Sequence, residues 1–195
     1  MVDKSNHGIR ADAVRQWRNK MSDKQQTDRQ LQIRKIAGEV MGLAHDGILI
    51  NMRFLDVELS RLKVECREQT GVNLFDGITL YYDPALLLQR YRNAPHYAAR
   101  LYLHTLLHCI FSHAVSADKL NRTYWDLATD IAVEHTILEW NLHLTSLPSD
   151  DLLRSRLDLL EKQAGGLTAE RLYRHFRIEE PSENAMQEWH KLCYY

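Results

Sequence analysis

The sequence predicts an α+β fold, mainly helical, with a small β-hairpin or sheet packed against one buried central helix. Three observations carry this. Apolar residues recur at helical spacing through most of the 195 residues. One segment, 71–84, breaks that pattern with a turn signal at Asp76-Gly77 followed by Ile78-Thr79-Leu80-Tyr81-Tyr82, rich in β-branched and aromatic residues. The stretch from Pro95 to His113 is apolar nearly all round, as befits a buried helix.

Taken in order, residues 1–28 are rich in Lys, Arg, Asp, Gln and Asn, and read as a polar arm with a short helix over Ala11–Trp17. A single domain is expected over 29–195. It begins with a helix from Gln30, in which Leu31, Ile33, Ile36, Val40, Met41 and Leu43 form a broad apolar face ending near His45-Asp46-Gly47. Residues 48–64 read as a second helix, or a turn leading into one. Ile78–Tyr82 is a short strand, with Val72–Phe75 as its hairpin partner. Asp83 and Pro84 then supply an N-cap and a first helical residue, and Leu86–Tyr91 continue that helix. The central helix starts at Pro95 and runs to about His113. Another helix covers Asn121–Trp140. A helical C-terminal extension over 149–195 comprises Leu152–Leu160 closed by Gly165-Gly166, a piece from Thr168 to Phe176, and an amphipathic piece over Ala185–Leu192.

Composition narrows the function classes. Apolar residues make up 45% and charged residues 26%, the balance of a soluble globular protein. The net charge of −1 gives no concentrated basic surface for nucleic acid. No run of about 20 apolar residues suits a membrane span. Cys66, Cys109 and Cys193 form neither a disulfide framework nor a Cys-x-x-Cys site, and a reducing cytoplasm is the expected location.

The chemistry concentrates in Leu101–His113. His104 and His108 sit four apart, one turn apart on one face of a helix, where two imidazoles can hold one metal ion. This is the spacing of the zinc-peptidase signature H-E-x-x-H, with Thr105 in the place of the Glu. Thr is no base near neutral pH and is too short to reach a Glu carboxylate's position, so metal ligands can persist while the general base is missing. Ten histidines yield about half a His-x-x-x-His pair by chance, so the setting matters more than the spacing.

The third ligand has two candidates. His113 lies about half a turn round from His104 on a regular helix and reaches the site only if the helix ends or bends near Ser112. Asp130 lies on the following helix in an apolar segment, able to ligate directly or to orient a ligating imidazole. Asp126 and Glu134 share its stripe. They read as a solvated face, as outer partners of the ligands, or, like Asp130, as the substitute base of an active peptidase. Equally, His104 and His108 read as core histidines bonded to backbone or to Asp130 in a metal-free interaction module.

The order of these motifs resembles the metallopeptidase-type domain found on the N-terminal side of a von Willebrand factor A-like domain in bacterial proteins. The carrying residues are His104, His108 and His113, the segment from Asp76-Gly77 to Asp83-Pro84, and Trp125, Ala128 and Asp130 on the next helix. The resemblance covers residues 30–140. It implies a zincin-like fold, bound zinc, a polypeptide substrate or protein partner, and a von Willebrand factor A-like domain in cis or in trans. Two departures stand out. Thr105 replaces the catalytic Glu, which implies a catalytically impaired relative. No von Willebrand-type segment occurs here, so the chain is expected to be a fragment or a stand-alone version.

Overall fold

The computed structural model describes residues 5–113 and 120–194. Eight α-helices and a three-stranded sheet make up the described part, as the α+β, mainly helical expectation requires. In chain order these are α1 (Ser5–Asn51), α2 (Asp56–Arg61), β1 (Lys63–Cys66), β2 (Leu74–Phe75), β3 (Thr79–Tyr82), α3 (Pro84–Asn93), α4 (Tyr97–Ile110), α5 (Arg122–Trp140), α6 (Asp150–Ala164), α7 (Ala169–Glu179) and α8 (Glu183–Tyr194).

α1 corrects the expected N-terminal organisation. The helix expected over 11–17 and the one expected from Gln30 are a single helix that also runs through His45-Asp46-Gly47. Its buried face explains why: Ala37, Val40, Met41, Ala44 and Ile48 follow helical spacing, and Ile48 continues the stripe past the glycine. A Cβ at Gly47 would stand 3.7 Å from the Leu144 side chain, an ordinary contact, so nothing in the packing there ends the helix.

The sheet has the order β1-β3-β2. β2 pairs antiparallel with β3, Leu74 opposite Tyr81 and Phe75 opposite Leu80, which is the expected hairpin. The turn is built by Asp76, whose Oδ1 accepts from the Ile78 and Thr79 N–H groups at 2.9 and 2.7 Å, and by Gly77 at φ 98°. β1 is the addition: 63–66 form a strand parallel to β3, where a helix had been expected to reach Val64.

The caps fall where their residue types predict. Asp83 Oδ1 accepts from the Ala85 and Leu86 N–H groups at 2.9 and 3.1 Å, with Pro84 opening α3. Asn121 caps α5 and Thr168 caps α7, while left-handed Gly165 ends α6.

Two apolar cores result. One gathers α1, the sheet, α3 and α4, together with Val133 and Ile137 of α5. The other gathers the opposite side of α5, including Leu127, Ala128 and Ile131, with α6, α7 and α8. α5 is therefore shared, and the polar groups where α4 meets it lie between two dry cores. Among the described residues, no helix is long and apolar enough to cross a membrane, and the three cysteines are free thiols.

Candidate metal centre

α4 and α5 place the polar groups. α4 buries almost every residue from Tyr97 to Leu107, including Arg100, His104 and Thr105. α5 buries Asp130 and Glu134 beside Ile131 and Val133. Four-residue spacing on each helix stacks Arg100, His104 and His108 on one face and Asp130 and Glu134 on the other.

The facing atoms come close. His104 Nε2 and His108 Nε2 are 3.0 Å apart. Asp130 Oδ1 stands 3.2 Å from His108 Nε2 and 3.7 Å from His104 Nε2. A tetrahedral ion bonded to nitrogen and oxygen at about 2.0–2.1 Å has ligand-to-ligand edges of about 3.4 Å, and these three distances straddle that value. His104, His108 and Asp130 are the group of metal-capable donors among the described residues. Asp130 Oδ2 is buried without a hydrogen-bond partner, an oxygen that a cation would satisfy. The residues present therefore fit a divalent ion.

Behind His104 lies a buried polar cluster. Its Nδ1 meets Glu134 Oε1 at 2.6 Å. Glu134 Oε2 accepts from Arg100 Nε and Nη2 at 3.0 and 2.6 Å. Arg100 Nη1 donates to the Thr145 carbonyl at 3.0 Å, and Nη2 lies 3.3 Å from Asp150 Oδ1. Arg100 and Glu134 are 1% and 0% exposed, so each charge depends on the other.

The charges shift accordingly. Burial opposes a charge on His104, but Asp130 and Glu134 outweigh it and hold its pKa up at about 9. His108 goes down, through burial and then the neighbouring His104, against the pull of Asp130. His113 is pushed down to about 4, mainly by burial. Burial would raise both carboxylates, yet hydrogen bonds from His104 and His108 to Asp130, and from His104 and Arg100 to Glu134, hold them well below the usual range. Without a metal, His104 is thus the proton-bearing member of a chain of acceptors.

The remaining candidates are scattered by the fold. The helix does end before Ser112, yet His113 stands outside the donor group, with its Nδ1 3.1 Å from His108 Nδ1, the side of that ring turned away from Asp130. Asp126 is on the surface, paired with Arg122 at 2.8 Å. Glu134 is the reverse of a solvated face. Thr105 is buried, and its hydroxyl donates to the Leu101 carbonyl at 2.9 Å, so it offers no base to the site. Arg100 is the residue that sequence reasoning missed. Its signal was a lone guanidinium on an otherwise apolar helix, one turn before His104.

A cleft of about 750 Å³ opens over the trio. The loop and strand 71–77 line it, as do Arg122, Asp126 and Thr129 of α5. Comparison with protein families matches residues 49–191, which include every site residue, to a family model described as "Putative metallopeptidase domain". No curated protein and no solved structure matches the chain.

Proposed function

The chain belongs to the family described as "Putative metallopeptidase domain", and on that premise we propose that it is a zincin-like, zinc-binding domain derived from a metal-dependent peptidase and lacking the general base. One observation carries the reading: two imidazoles and a carboxylate from two facing helices converge at 3.0–3.7 Å around a common point, with one carboxylate oxygen unsatisfied. His104, His108 and Asp130 would hold the ion. Two nitrogens and one oxygen, with a fourth position facing a cleft, suit zinc. When bound, such an ion supplies Lewis acidity, polarising a carbonyl and acidifying water.

The chain's own residues do the rest, or fail to. With an ion bound, Glu134 would accept from His104 Nδ1–H and so leave the Nε2 that faces Asp130 bare. The surrounding cores keep water from the back of the site, and the cleft leaves its front open to an extended polypeptide. The position one residue after His104 is Thr105, whose hydroxyl is engaged by backbone. A positioned base accounts for about 10²–10⁴ of peptidase rate. Of the other carboxylates, Asp130 belongs to the donor set and Glu134 is locked by Arg100, which leaves Asp126 on the cleft wall as the substitute base of an active alternative. A reducing cytoplasm, and a von Willebrand factor A-like domain in cis or in trans, complete the proposal.

The test is cleavage of an unstructured polypeptide with and without chelator. The wild type is expected at background, and Thr105→Glu to gain chelator-sensitive cleavage. Strong chelator-sensitive cleavage by the wild type, abolished by Asp126→Asn, would establish the active alternative.

A further inference from the structure

α4 ends in a way that aims one imidazole at another. Ser112 adopts φ 55°, its N–H donates to the Cys109 carbonyl at 3.1 Å, and the His113 N–H donates to the His108 carbonyl at 3.2 Å. These paired bonds around a left-handed residue are a Schellman end, which folds the second residue past the cap over the third residue from the helix end. That contact is usually apolar. Here it joins His113 to His108, Nδ1 to Nδ1 at 3.1 Å, with ring planes at 77°. The fold pins His113 there. Its carbonyl accepts from Trp125 Nε1 of α5 at 3.0 Å, and its side chain is buried.

Two ring nitrogens at hydrogen-bond distance need one proton between them. His108 Nε2 faces His104 and Asp130, and a nitrogen that takes a metal must be bare. The proton of neutral His108 then sits on Nδ1, and His113 Nδ1 is the acceptor. Glu134 stands in the same relation to His104 Nδ1. We propose that His113 is a positioning residue that accepts from His108 Nδ1–H and so presents the bare Nε2 of His108 to the ion, the outer partner of one ligand as Glu134 is of the other. This rests on reading the trio as a metal site. It assigns His113 a place one ring behind the ligands, in contrast to the ligand role that the family resemblance implies.

The experiment is long-range ¹H–¹⁵N NMR of the imidazoles in the wild-type chain, metal-free and with zinc added, joined to zinc affinities of His113→Phe and His113→Asn. The expected result is His108 protonated on Nδ1 once zinc is bound, with zinc shifting Nε2 of His104 and His108 and neither nitrogen of His113. His113→Phe, a ring without an acceptor, should lose about 10–100-fold in affinity. His113→Asn, whose amide oxygen sits where Nδ1 did, should recover most of it. A zinc-induced shift on His113, a zinc-loaded His108 with its proton on Nε2, or unchanged affinity in His113→Phe would each overturn the proposal. If a folded wild type takes up no zinc, the metal-site reading itself fails, a result distinct from zinc binding with unchanged affinity in His113→Phe, which overturns the role of His113 alone. The same wild-type spectra decide the matter if His113→Phe does not fold.

Discussion

His104 Nδ1 and Glu134 Oε1 meet at 2.6 Å at the buried back of the site, and Arg100 holds the same carboxylate from the other side. Three consecutive charged or chargeable groups are thereby fixed between two apolar cores, each leaning on its neighbour. That arrangement is costly unless complete.

Arg100 is therefore expected to matter for stability as much as for the site. Arg100→Met leaves Glu134 buried with half its partners and should cost about 3–5 kcal/mol in denaturant unfolding of the metal-free protein. The double variant Arg100→Met/Glu134→Gln should cost less than the two single changes added together, because neither buried charge is then left alone. Additive losses would mean that the two side chains act independently.

Asp130→Asn keeps size and removes charge. With Asp130 as a ligand, zinc affinity measured by chelator competition should fall by more than the 10–100-fold expected for loss of an outer partner. A fall within that range would move Asp130 behind the imidazoles and leave the third protein ligand to be found elsewhere.

The raised pKa of His104 predicts how the site responds to pH. Below about 9 the metal-free imidazole holds a proton that an ion must displace. Zinc affinity should therefore climb about tenfold per pH unit toward that value and level off above it. The stability of the metal-free form runs the other way. The folded pKa lies above the ordinary 6.5, so this contribution is complete below 6.5 and is lost as pH rises through about 9. Calorimetry of the metal-free protein across this window, beside the affinity series, checks both signs. A flat affinity profile would remove His104 from the ligand set.

Much of this was legible in the sequence, for identifiable reasons. α4 and α5 bury apolar residues around most of their circumference, so periodicity finds them, and Asp83-Pro84, Asn121 and Thr168 announce the starts of α3, α5 and α7. The spacing of His104 and His108 and the placing of Asp130 survived into three dimensions. β1 was not legible, because its four residues are only half-buried on one face and it is fixed by a parallel partner, β3, whose position no local pattern gives. The continuity of α1 was hidden by Gly47, which reads as a helix end, whereas the buried stripe from Ala37 to Ile48 carries the helix through it. Within the site, four-residue spacing put Asp126, Asp130 and Glu134 on one stripe without showing that the first faces water and the other two face α4. The destination of His113 depended on Ser112 taking a left-handed conformation that serine seldom adopts.

The central claim is that His104, His108 and Asp130 hold one metal ion. The most direct measurement is the metal content of the purified chain after zinc is supplied near neutral pH and excess is removed, for the wild type and for His104→Ala/His108→Ala. The account predicts about one zinc per wild-type chain, none above background in the double variant, and a higher melting temperature for the zinc-loaded wild type than for its metal-free form, since an ion that binds only the folded state stabilises it. Equal metal content in the two proteins, or none in a folded wild type, would contradict it.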